Sequence, residues 1–88
     1  MNPVLAEMLD LLDVEAVETD VFLGAPYEAS EHVFGGQVMA QALRAAGRTV
    51  EDARQVHSLH GYFLRPGDHR RPVVLEVERT RAGRSFST

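Results

Sequence analysis

The segment HVFGGQVMAQALRAAG, residues 32–47, decides the fold because it joins two consecutive glycines to a helix with very little polar surface. From Gly36 onward the polar side chains recur at steps of four, three and four residues, which places them along one narrow stripe. These polar residues are Gln37, Gln41, Arg44 and Arg48. Everything else there is apolar or small, so the pattern predicts one helix over residues 36–48, wrapped by a sheet on most sides and capped by Gly47.

Hydrophobic periodicity predicts a short helix before this segment and strands on both sides of it. Asn2 and Pro3 suit the N-cap and first position of an amphipathic helix. Its apolar residues are Val4, Leu5, Met8, Leu9 and Leu12. After Asp13, period-two alternation predicts one strand that ends at Gly24, and further strands over residues 55–65 and 72–81. Residues 24–33 are predicted to be loop, and Pro66-Gly67 and Ala82-Gly83 are predicted turns.

Alternation predicts which residues of each strand share one face of the sheet. The first places Val17, Thr19, Val21 and Leu23 together, the second His57, Leu59, Gly61 and Phe63, and the third Val73, Leu75 and Val77. A fourth strand has barely begun at Ser87-Thr88, which leaves an open sheet edge and an incompletely covered helix. Residues 1–88 are therefore expected to be part of one domain, completed by more sequence or by another chain, with a homo-oligomer expected.

Composition excludes several classes of protein. The chain has 88 residues, enough for one small domain, and its 13 acidic and 9 basic residues give a net charge of −4, which disfavours nucleic-acid binding. The absence of cysteine excludes disulfides, cysteine nucleophiles and zinc ribbons. There is no apolar run of the roughly 20 residues that a membrane span needs, and no export signal. A soluble, cytoplasmic protein is expected.

The segments VFGGQVMAQAL and VHSLHGYFLRPGD, in this order of elements, resemble the N-terminal repeat of the acyl-CoA thioesterase II family. The resemblance runs from Leu5 to Thr88. It implies an α+β double hot-dog fold, in which each repeat curls an antiparallel sheet around one long central helix. It also implies hydrolysis of fatty acyl-CoA to free fatty acid and CoA by water, without a cofactor, in a protein whose second repeat completes the structure.

No catalytic residue of that family carries over to this segment. Its water-activating Asp, Thr or Ser, and Gln belong to the second repeat, and the helix here has no carboxylate between Gly35 and Gly47. The segment is therefore expected to be scaffold and a wall of the acyl tunnel, inactive alone. A non-catalytic hot-dog module that binds an acyl ligand or a partner sheet remains the alternative.

The start of the long helix is the expected substrate-binding region. Gly35 and Gly36 allow close backbone approach, and the free amides of a helix start carry partial positive charge suited to a thioester carbonyl. Gln37 adds a side-chain donor. The alternative is that the glycines only make the tight entry into a buried helix.

His57 is a further candidate for substrate binding and for acid–base chemistry, because histidine titrates near pH ~6.5. Structural packing beside Leu59 and Phe63 is the competing interpretation. His57 and His60 would point to opposite faces of a regular strand, so no metal site is expected, and His32 and His69 are expected in loops.

Charge is divided unequally along the chain. All charged residues up to Glu31 are acidic, whereas most arginines come late, at 65, 70, 71, 79, 81 and 84. Such arginines suit the phosphates of coenzyme A or, equally, a solvated strand-and-turn surface.

Overall fold

A computed structural model describes residues 2–26, 35–51, 53–65 and 70–88. Along the chain it contains α1 (Pro3–Leu12), β1 (Glu15–Glu18), β2 (Val21–Gly24), α2 (Gly35–Gly47) and β3 (Val73–Glu76). The strands form one antiparallel sheet in the order β1-β2-β3. The predicted Pro66-Gly67 turn, His32 and His69 lie outside the described residues. Neither α1 nor α2, the helices of the described ranges, is long and apolar enough to span a bilayer.

Helix α1 begins where the sequence predicts. The Oδ1 atom of Asn2 accepts a hydrogen bond of 2.8 Å from the backbone N–H of Val4, and Pro3 lies in the first turn. The apolar side chains do not become core, because Val4 is 65% exposed and Met8 54% exposed. Local signals thus fixed the helix, while most of its apolar face stays uncovered in this structure.

The prediction of one strand after Asp13 is wrong, because this segment forms the hairpin β1–β2. Asp20 adopts a φ of 60° at the turn, a left-handed conformation that Asp tolerates better than most residues. Ala16 pairs with Phe22, and Phe22 is buried instead of the predicted face of Val21 and Leu23. Alternation continued through the turn in sequence, so periodicity alone did not reveal the reversal.

Strand β3 confirms the predicted apolar face. It pairs with β2 so that Leu75 lies opposite Phe22, and Leu75 is buried with Val73 and Val77 half-buried beside it. The strand is shorter than predicted and ends at Glu76, after which the N–H of Val77 donates to the Asp20 carbonyl. The Ala82-Gly83 turn is present, since Ala82 pairs with Ser87.

The strand predicted over residues 55–65 is absent, because in the described ranges these residues form neither helix nor sheet. A strand needs a partner for its backbone groups, and no described strand pairs with this segment. The segment nevertheless lies against α2 in part: a β-carbon on Gly61 would lie 3.5 Å from Cε of Met39. Most of its apolar side chains remain exposed.

Helix α2 packs on the sheet through an unexpected surface. The core contains Val14, Phe22, Ala45 and Leu75, with Ala42 partly buried against it. The buried residues of α2 are Gln37, Gln41 and Ala45, while Val38, Met39 and Leu43 are half-buried. The expected wrapping on most sides is therefore seen on one side only in the described residues, and that side includes part of the polar stripe.

Candidate functional site

The polar stripe of α2 holds the end of α1. Gln41 Nε2 donates to the carbonyl of Leu11 at 2.9 Å, Arg44 Nε donates to that of Leu12 at 3.3 Å, and an Arg48 N–H donates to that of Val14. The last carbonyls of a helix have no partner within the helix. The stripe therefore supplies the partners that α1 lacks and fixes one helix against the other.

Gln41 also holds the chain beyond β2. Its Nε2 donates a second bond, of 3.1 Å, to the carbonyl of Ala25, and the residue is 0% exposed. Within the part of the chain that the structure describes, the Oε1 atom of this side chain has no hydrogen-bond partner. One amide thus joins α1, α2 and the segment that follows β2, which sets the position of the α2 helix axis over the sheet.

A cation–π contact continues the same stripe. The Arg48 guanidinium lies 5.2 Å from the centre of the Phe22 ring. An arginine over an aromatic face adds attraction to the packing of its aliphatic stem. This contact closes the core at the C-terminal end of α2.

The first turn of α2 brings three of the predicted substrate-binding residues together. Gly35 lies beneath the Phe63 ring, since a β-carbon there would be 3.1 Å from Cζ of that ring, and Gly36 is exposed. Gln37 is 9% exposed, and its Nε2 atom is buried and has no hydrogen-bond partner among the described residues. A buried amide donor without a partner costs free energy, so it is suited to an acceptor that arrives with a ligand.

The remaining predicted site residue, His57, contacts an aromatic ring near the end of the described residues. Its ring meets the edge of Phe86 with centroids 6.3 Å apart, in a T-shaped arrangement, and the residue is exposed. His60 stacks in a tilted arrangement on Tyr62 at 4.8 Å. Within the described ranges no three His, Asp or Glu side chains converge as metal ligands would.

Among the late arginines, Arg79 has a defined partner. Arg79 forms a two-point ion pair with Asp20, with Nε–Oδ2 and Nη2–Oδ1 distances of 2.8 Å. These hydrogen bonds, with the positive charge beside it, hold the pKa of Asp20 below its usual value despite some desolvation. Sequence reasoning missed Arg54, which donates to carbonyls in the 82–87 turn. Its only sequence signal was an arginine ahead of an apolar segment.

Comparison with known proteins decides the family. The model of the acyl-CoA thioesterase N-terminal domain family matches residues 23–88. The chain belongs to this family. Human acyl-coenzyme A thioesterase 8 is 47% identical over 78 residues, which are 88% of this chain and 24% of the human protein. Acyl-CoA thioesterase 2 of Haemophilus influenzae is 42% identical over 88 residues, 99% of this chain and 31% of that protein.

Two solved thioesterase structures have the same fold as this member of the acyl-CoA thioesterase N-terminal domain family. The tesB protein of Mycobacterium avium subs paratuberculosis superposes with a TM-score of 0.89 at 46% identity, covering 94% of this chain and 34% of the other. The acyl-CoA thioesterase II TesB2 of Mycobacterium marinum gives 0.82 at 47% identity, with 92% and 29% covered. The α+β class and hot-dog fold are thereby confirmed. The chain spans about a quarter to a third of the length of these relatives.

Proposed function

We propose that this chain is the N-terminal part of an acyl-CoA thioesterase that hydrolyses fatty acyl-CoA to free fatty acid and CoA. The observation that carries the proposal is 42–47% identity to acyl-CoA thioesterases across 88–99% of the chain. In this reaction the oxygen of water bonds to the thioester carbonyl carbon and the C–S bond breaks. The acyl group leaves as a carboxylic acid, and the CoA sulfur takes up a proton.

The proposed role of this segment is to hold the substrate rather than to activate water. Gln37 Nε2 is a buried donor with no partner in the described ranges, beside the exposed Gly36, so it is suited to bond the thioester oxygen, on which negative charge grows during attack. Gly35 lets the Phe63 ring pack close to the backbone, and the exposed Gly36 would let the substrate approach the helix start. His57 is retained as a proposed substrate contact, with its ring supported by Phe86.

The residue that activates water is proposed to lie outside residues 1–88. No Asp, Glu or His occurs between Gly35 and Gly47, and a glutamine side chain does not accept a proton near neutral pH. We propose that residues 1–88 form one incomplete repeat and that a second repeat supplies this residue and the rest of the sheet. Homo-oligomer formation and a cytoplasmic location are proposals as well, to be tested by sedimentation and cell fractionation.

The proposal is tested by measuring acyl-CoA hydrolysis by the full-length protein that the native reading frame encodes. Purified protein should release free thiol from short-, medium- and long-chain acyl-CoA in proportion to enzyme concentration. The Gln55→Ala variant, changed at an exposed site, controls for the effect of an arbitrary substitution on activity. A product that binds acyl-CoA but releases no thiol from any chain length would instead support the non-catalytic module, which the absence of a carboxylate on α2 also permits.

A further inference from the structure

The segment Arg81–Thr88 forms a tight, well-bonded turn. The N–H of Arg81 donates to the Thr88 carbonyl at 3.1 Å, and the N–H of Thr88 donates back at 2.7 Å. Inside this pair, the N–H of Gly83 donates to the Phe86 carbonyl at 2.7 Å. A β-carbon on residue 83 would lie 2.6 Å from that carbonyl oxygen, so only glycine fits. The turn is therefore a defined scaffold for the side chains it carries.

Two guanidinium groups meet at Gly83. Arg54 Nη2 donates to the Gly83 carbonyl at 2.6 Å and to the Arg84 carbonyl at 3.0 Å. The second guanidinium belongs to Arg81, whose Nε lies 3.1 Å from the position that a β-carbon on Gly83 would take. Arg84 follows directly in the chain and is exposed. Three positive charges are thus gathered around one turn from two separate parts of the sequence.

These charges lack a counter-charge in the described part of the protein. Arg79, close in sequence, is neutralised by Asp20, but no carboxylate of the described ranges forms an ion pair with Arg54, Arg81 or Arg84. Residues 79–88 contain no acidic side chain. Like charges held together repel each other, so an anion placed among them would be stabilised.

We propose that Arg81 and Arg84 bind phosphate groups of the coenzyme A portion of the substrate, with Arg54 as a positioning residue that holds the turn. The inference rests on the proposed function and adds the part of the substrate that this turn recognises. Guanidinium is suited to this because its planar donors match two oxygens of one phosphate. The Arg54 donors that bond to carbonyls shape the turn rather than contact the ligand.

Substrates with and without phosphate test the proposal in the full-length protein. The probes are an acyl-CoA, the same acyl group on 3′-dephospho-CoA, and the same acyl group on N-acetylcysteamine, which has no phosphate. The variants are Arg81→Gln, Arg84→Gln and the double variant, with Arg81→Lys to retain the charge. Arg65→Gln is the matched control, since it removes one exposed positive charge elsewhere.

We expect the double variant to raise KM for acyl-CoA about tenfold or more, since hydrogen bonds to charged groups are the strong ones. Its kcat and its activity on the N-acetylcysteamine thioester should stay as in the unmodified protein. Arg81→Lys should raise KM less than Arg81→Gln does, because it keeps the positive charge. Arg54→Gln should raise KM and also lower the melting temperature. Equal losses on all three substrates, or a KM no higher than that of Arg65→Gln, would overturn the proposal.

Binding of CoA by calorimetry separates this proposal from the proposed function. If the protein hydrolyses no thioester, the proposed function fails, yet CoA binding that weakens in the double variant and in high salt would still support the arginine site. Equal binding of CoA by the double variant and the unmodified protein would refute the site even if the enzyme is active. Inorganic phosphate as competitor shows whether any phosphate, or only that of the nucleotide, is recognised.

Discussion

The side-chain amide of Gln41 fills the space that a β-carbon on Gly24 would need. An ideal β-carbon at residue 24 would lie 2.7 Å from both Cδ and Oε1 of Gln41, and the amide is fixed there by two carbonyl acceptors. The glycine at the end of β2 and the glutamine in the middle of α2 are therefore one unit of packing.

Replacement of Gly24 by alanine should destabilise the protein. The amide cannot move aside without breaking its bonds to Leu11 and Ala25, so we expect a loss of about 1–3 kcal/mol in the free energy of unfolding. Urea denaturation of the full-length protein measures it. Gly47→Ala is the control, because a β-carbon there would meet no described residue within 4 Å apart from its own neighbours in the helix. Equal stability of the two variants would contradict the packing described.

Replacement of Gln41 by leucine should loosen α1 first. Leucine keeps most of the volume but leaves the carbonyls of Leu11 and Ala25 without donors, at a cost of about 1–3 kcal/mol for unsatisfied buried groups. We expect faster amide hydrogen exchange in α1 than in the β2–β3 ladder. Gln55→Leu, at an exposed site, controls for added hydrophobicity. Unchanged exchange in α1 would show that the amide does not hold this helix.

The Asp20–Arg79 pair should make stability depend on pH in the acid range. Because Arg79 lowers the pKa of Asp20 in the folded state, the stabilisation is fully present above the unfolded pKa of about 3.9 and is lost as pH falls through the folded pKa. Asp20→Asn, which keeps a residue tolerant of positive φ, should remove this dependence. Unfolding curves between pH 2 and 7 compare the two proteins. A difference in stability between the two proteins that stays the same at the acid end would contradict this prediction.

Replacement of Gln37 by alanine should lower kcat/KM of the complete enzyme. Loss of this donor to the thioester oxygen should lower kcat/KM about tenfold if the donor makes an ordinary hydrogen bond. The decrease should reach ~10²–10³-fold if the donor acts mainly on the transition state. His57→Ala should lower kcat/KM less, through KM, because we propose that His57 contacts substrate but does not act on the reacting atoms. Unimpaired kcat/KM in Gln37→Ala would remove the helix start from the proposed site.

Residues 1–88 expressed alone should self-associate and lack thioesterase activity. The structure exposes many large apolar side chains: Val4, Leu5, Met8, Leu9, Val17, Val56, Leu59, Tyr62, Phe63, Leu64, Val74 and Phe86. Covering a few hundred Å² of such surface at about 25 cal/mol per Å² is worth several kcal/mol before association entropy is subtracted. Sedimentation and a thioester assay measure both properties. A compact monomer with a sharp, reversible thermal transition would contradict the first, and sustained hydrolysis the second.

Part of the proposed substrate-binding region could be predicted from sequence because its signals are local. Two glycines, a donor and a helix start are adjacent in the chain, and the structure places Gly35, Gly36 and Gln37 on one turn. His57 was proposed because it can titrate, and its role in substrate binding stays a prediction; in the structure its ring contacts Phe86. Arg54 was missed because its role depends on the carbonyls of residues almost 30 positions later, and nothing in its own neighbourhood points to them.

The sequence by itself determined both helices and the inward face of β3. A cap at Asn2, a three-to-four-residue period and alternating valine and leucine act within a few residues, so they are readable without knowing where the chain goes. Only the tertiary structure decided that Asp20 reverses the chain, that Gln41 is buried, and that residues 55–65 have no paired strand in the described ranges. The reason is physical: a buried amide and a strand each need hydrogen-bond partners from distant residues, whose positions arise only when the whole chain packs.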